Sequence, residues 1–211
     1  MAKKLVNEVA IKDEMNRYKE LLNINNDLSF RINRSNGCGG SYYQNKVVLD
    51  LGTAKEWIEH PNRTKYVIVH ELVHAKFNET RNPLLSVIVP PGLNLEYLLQ
   101  ELRANTIAYQ MLGKNETVLE DYFFEFNKIS SNPFHVNGGY LSSDKFVYLI
   151  KQNPVWNEQA IVYAINYLTE KYKFIRYLVP KRRKEKIKNQ FVKQLEDLPW
   201  NLNATTVNFT K

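Results

Sequence analysis

The stretch TKYVIVHELVHAKF, Thr64 to Phe77, holds two histidines four residues apart with a glutamate directly after the first. On a helix, residues at that spacing lie one turn above each other, so His70 and His74 present their imidazoles to one point in space. Neutral imidazole suits zinc, and a catalytic zinc takes three protein ligands and leaves its fourth position to water. Glu71 stands where a general base for that water belongs, in the His-Glu-x-x-His pattern. The opposing reading is an ordinary apolar helix that happens to carry two histidines, and the setting weakens it. Of four histidines in the chain, two fall at this spacing. YVIV before them and LV between them would bury a polar triplet, which is costly unless the triplet coordinates something.

A third ligand has to come from elsewhere. Thr80 occupies the position, six residues after His74, at which the metzincin pattern carries its third histidine. His60 precedes a proline and His135 lies in a loop, and neither has a supporting pattern. The segment LLQELRANTIAYQ offers Glu101, 27 residues after His74, with Ala104 and Ala108 leaving room for close helix packing. Asn105, one turn further on, suits a hydrogen bond that orients a zinc-bound histidine. Glu96 is the competing carboxylate, but the helix dipole alone favours an acid so near a helix start. The expected centre is one Zn2+ ion on His70, His74 and Glu101, with Glu71 catalytic. Tyr97, Tyr109 and His135 stand open as donors to a developing oxyanion.

A chain of 211 residues, 44% of them hydrophobic, can build one sizeable domain or a compact domain with an extension. Cys38 is the only cysteine, which excludes an intrachain disulfide and a thiolate zinc site and leaves it a small apolar turn residue. The first residues mix charges into the apolar run, unlike a signal peptide, and PLLSVIVPPGL from Pro83 is too short and too broken to span a membrane. The expectation is a cytoplasmic protein with no membrane partner. Charge is unevenly placed: Lys171 to Lys188 carries nine basic residues against one acid, +8, which leaves −1 for the remainder of a chain whose net charge is +7. Such a run can bind nucleic acid, although it is more often the solvated face of a helix.

Periodicity orders the rest. Ile11, Met15, Tyr18 and Leu22 recur at helical spacing and predict an amphipathic helix that covers a sheet. LSFRINRS and YYQNKVVLDLG read as strands, with NGCGG between them as the turn of an antiparallel hairpin. A short segment around AKEWIEHP follows, then the histidine helix, capped by Asn62 or Thr64. Asn94 caps the next helix and Gly113 ends it. Further helices are expected at ETVLEDYFFEFNKI, SDKFVYLI, NEQAIVYAINYLTEKY and KRRKEKIKNQFVKQLEDL, with TTVNFTK a short strand or tail. The fold class is α+β: a small antiparallel sheet packed on the active-site helix, followed by a mostly helical C-terminal region. Pro and Gly between Ser130 and Ser143 suggest a division into a domain over residues 1–129 and a basic helical extension over 130–211.

On these residues the chain resembles the gluzincins, and within them the ImmA/IrrE-type metallopeptidase domain. GGSYYQNKVVLDLG looks like the strand pair before the active helix, and VIVHELVHAKF looks like that helix. ELRANTIAYQML is similar to the family's Glu-x-x-Ala-Asn-x-x-Ala segment. The likeness spans about residues 25–112. It implies a helix-covered small sheet, one zinc on His70, His74 and Glu101, and Glu71 as base. It also implies a zinc metalloendopeptidase of a phage or mobile element, acting on a repressor or other regulator. SprT-type proteins share a similar hairpin and helix but use a third histidine soon after it, which is missing here. Two further readings compete: a non-catalytic regulator of the same fold that sequesters a protein partner, and a nucleic-acid-binding protein working through Lys171–Lys188.

Overall fold

The computed structural model describes residues 6–34, 37, 39–79, 94–129, 142–171 and 179–199. Helix α1, Glu8–Leu21, starts where the Asn7 side chain accepts from the Ala10 N–H, and it buries Ile11, Met15 and Tyr18. Three short strands follow: β1 Ser29–Asn33, β2 Gly40–Tyr43 and β3 Lys46–Asp50. Helix α2 spans Leu51–Glu56, α3 Pro61–Lys76, α4 Leu95–Met111 and α5 Glu116–Ile129. The C-terminal part adds α6 Ser143–Gln152, α7 Glu158–Lys171, α8 Lys181–Lys193 and a 3-10 turn, Gln194–Asp197. The α+β class holds, and among the described residues no helix is long and apolar enough to cross a membrane.

The sheet departs from expectation. It is mixed rather than antiparallel, in the order β1-β3-β2, with β1 parallel and β2 antiparallel to β3. The hairpin turn is not NGCGG but Gln44-Asn45, whose φ angles of 47° and 58° give the two left-handed residues of a type I′ connection. The glycine-containing segment instead carries the chain from β1 across to the far edge, and Cys38 lies outside the described residues. Val47 and Leu49 of β3 are fully buried on the face that α3 covers. Helix α1 rests mainly on α3 rather than on the sheet, because α3 already occupies that face.

Helix α3 begins earlier than either expected cap, Asn62 or Thr64, allows: it starts at Pro61, with His60 in the cap position. Proline suits a first helical turn, where its missing N–H has no partner to lose. Thr64, expected as a cap, is buried and donates its hydroxyl to the Thr53 carbonyl at 2.9 Å. Asn94 does cap α4, accepting from the Tyr97 N–H at 3.2 Å, and Gly113 at φ 73° turns the chain after it. The segments 80–93 and 130–141, with His135, and TTVNFTK lie outside the described residues.

One cluster of buried apolar side chains runs from Ile11 to Leu198 and draws on every described helix. At its centre, α3 is buried at every position from Tyr66 to Ala75 and α4 from Glu101 to Met111. Helices buried on all sides must bury their polar residues too. Nine of the eleven buried polar or charged residues among those described sit on these two helices, which marks their interface as the place to look for chemistry.

Candidate metal centre

His70 and His74, one turn apart on α3, bring their Nε2 atoms to 3.0 Å. Glu101 meets them from α4, with Oε2 at 3.5 Å from His70 Nε2 and Oε1 at 3.8 Å from His74 Nε2. These three donors form a group that can hold a metal ion, all within 4.8 Å of one another. A tetrahedral zinc with bonds of about 2.0–2.2 Å sets its ligand atoms roughly 3.3–3.6 Å apart. The observed spacings bracket that range, so the His-His-Glu set fits zinc in both chemistry and size.

Glu71 is buried beside the histidines, and its side chain runs along β2: a Cβ built on Gly40 would fall 2.9 Å from Glu71 Cγ. Burial alone would lower the His74 pKa. The hydrogen bond that His74 donates to Glu79 and the charges of Glu101, Glu71 and Glu79 outweigh it and push His74 up to about 9. A metal ion taken up at His74 Nε2 would have to displace the proton that these carboxylates favour.

Asn105 does not orient a histidine. Its Nδ2 donates to the Glu101 carbonyl at 2.8 Å, while the Tyr66 hydroxyl donates to Asn105 O at 2.9 Å and lies 3.2 Å from Oδ1. Tyr66 sits one turn before His70 and Asn105 one turn after Glu101, so this contact pins α3 to α4 beside the ligands. The orienting contact on His74 comes from Glu79, whose Oε2 lies 2.9 Å from Nδ1. Helix α3 ends with Asn78 at φ 51°, the Asn78 N–H on Ala75 O and the Glu79 N–H on His74 O. That is a Schellman closure, which folds the residue after the left-handed position back over the third-last helical residue. Asn78 after an apolar helix was the available signal, and it was missed.

Arg103, also missed, is fully buried and pairs through Nη2 with Glu79 Oε1. Its guanidinium carbon lies 3.6 Å from the Phe77 ring centroid and 4.9 Å from that of Phe191. Nη1 donates to Gln194 Oε1 at 2.6 Å. Burial lowers its pKa to about 10, against the pull of Glu79, and leaves it charged at neutral pH.

Other expected residues stand elsewhere. Glu96 accepts from Gln190 Nε2 at 3.1 Å and is not part of the ligand group. His60 is exposed at the far end of α3. Tyr109 lies two turns beyond Glu101, among Glu116, Lys151 and Glu120, and Tyr97 lies one turn before Glu101. The aromatic ring that does approach the ligands is Tyr122 of α5, its centroid 4.4 Å from that of Tyr66 with the planes tilted by 31°, and 6.5 Å from the His70 ring. Strand β3 is the central strand of the sheet, and the edge beside Glu71 is β2. Neither a family model nor a curated protein nor a solved structure matches the chain.

Proposed function

We propose that the protein is a zinc metalloendopeptidase of the ImmA/IrrE-like, gluzincin type, cleaving a repressor or other regulator of a phage or mobile element. The observation that carries this reading is the convergence of His70, His74 and Glu101 at zinc-compatible spacing beside Glu71. Zinc held by such a set supplies a Lewis acid and lowers the pKa of its water. The Glu71 carboxylate takes a proton from the attacking water and hands it to the leaving amine nitrogen. Strand β2 pairs only with β3 among the described residues, so its outer edge can receive a substrate backbone as an added strand next to Glu71.

The test is metal content by mass spectrometry, with mapping of new N-termini in a host lysate. We expect about one zinc in the wild type, its loss in Glu101→Ala, and new termini that disappear with Glu71→Gln while zinc remains. A wild type that takes up no zinc sinks the reading. Partner capture that survives Glu71→Gln, with no new termini in either protein, favours the sequestering regulator instead.

A second reading has one specific observation behind it. Lys181, Arg182 and Arg183 are exposed at the very start of α8, whose first turn holds no acid. Cations there oppose the helix dipole, so local stability does not explain them, and a polyanion such as nucleic acid would.

A further inference from the structure

The contacts around His74 continue outward in a single line to the C-terminal part of the chain. His74 Nδ1 faces Glu79, Glu79 faces Arg103, and Arg103 faces Gln194. We propose that Glu79 and Arg103 are positioning residues of the metal centre, and that Phe191 and Gln194 hold them in place, so that metal affinity is set partly from α8 and its 3-10 turn. This rests on His70, His74 and Glu101 being the metal ligands.

The geometry of the ring gives Glu79 its role. Nδ1 and Nε2 point out of opposite sides of an imidazole, and only Nε2 faces His70 and Glu101. A carboxylate on Nδ1 therefore takes the N–H there and leaves the Nε2 lone pair directed at the ion. Without it, the ring has two tautomers and a free torsion to fix when metal arrives.

Glu79 in turn needs a fixed partner. Its second oxygen accepts from Arg103, a residue with no exposed surface, so the arginine charge has no water to turn to. The arginine plane is confined between Phe77, the residue that ends α3, and Phe191 of α8. Gln194 takes its other nitrogen. Two of the four groups around this arginine thus come from the end of α8 and the turn after it, 88 and 91 residues further along the chain. A second tie between the same elements, Gln190 to Glu96 at 3.1 Å, keeps α8 seated along α4.

A purely structural ion pair would look the same in a static picture, so the test separates affinity from stability. Zinc dissociation constants are measured by competition with a chromophoric chelator on the full chain, together with melting of the metal-free protein. Four proteins are compared: wild type, Glu79→Gln, Gln194→Leu and the double variant. We expect Glu79→Gln to weaken zinc binding about 10–100-fold, the range for losing such an orienting group, in addition to the lowered metal-free melting that a buried Arg103 without its charge partner brings. Gln194→Leu should weaken zinc several-fold, and the double variant no further than Glu79→Gln alone, since both act through one line of contacts. Wild-type zinc affinity in Glu79→Gln, with lowered metal-free melting, would overturn the proposal and make the pair structural. Fully additive effects would overturn the part played by Gln194. A wild type that binds no zinc would instead remove the metal reading on which the proposal stands.

Discussion

Gly40 shows how little room surrounds Glu71, the proposed base. A Cβ there would sit 2.9 Å from both Glu71 Cγ and Val67 Cγ1, and 3.2 Å from Leu49 Cδ2. Real side chains do not tolerate the first two distances, and the Glu71 stem is the part that can yield. Gly40→Ala should therefore lower stability by about 1–3 kcal/mol, as overpacked cores do, and should reduce peptide cleavage by more than the lost folded fraction accounts for. Zinc content should stay at one per chain. Unchanged cleavage and melting would show that Glu71 is not confined by β2. At this scale the histidine pair and Glu101 were legible because their relation is local to a helix or follows from the donor chemistry zinc requires. Glu79 was not, since its place depends on a left-handed Asn78 that no periodicity encodes. Arg103 looked like an ordinary polar residue of α4 until α8 closed over it.

Among the elements, helices were read well and strand pairing poorly, for a common reason. The apolar repeats of α1 and α5 mark helices within a few residues of their ends, because helical hydrogen bonds join near neighbours. The partner of β1 is instead decided by the whole sheet, and the true hairpin turn, Gln44-Asn45, lacks the Asn-Gly signature that would have revealed it. Helix α8 carries a prediction of its own. If its exposed cations meet a polyanion, binding of a fluorescent oligonucleotide should fall steeply with salt. Neutralising Lys181, Arg182, Arg183 and Lys184 to Gln should flatten the log–log salt slope by about 0.7–0.9 for each lost phosphate contact. A slope near zero in the wild type would leave the run as a solvated face. Because Ile187 and Phe191 lie on the buried side, the substitutions should leave the fold intact.

In the whole molecule the ligands join the two most deeply buried helices, so an ion there acts on global stability. With free zinc 100-fold above its dissociation constant, linkage adds about 2.7 kcal/mol, or about 5–11 °C for a chain of this size. Calorimetry with and without a chelator should show that shift in the wild type and none in Glu101→Ala. Equal melting of the wild type in both conditions would mean that no ion ties α3 to α4. For the C-terminal part the sequence suggested a basic helical extension but not how it seats, since the match between its buried face and α4 is a matter of shape, which composition does not carry. The line from His74 to Gln194 also has a consequence in time. A ribosome that has just made Arg103 must add 91 more residues before Gln194 exists, a delay of about 5–18 s at ordinary rates of synthesis. On the proposed reading the brace behind His74 is completed late, so a peptidase assembled in that order would stay poorly loaded while its own nascent chain is still open to cleavage.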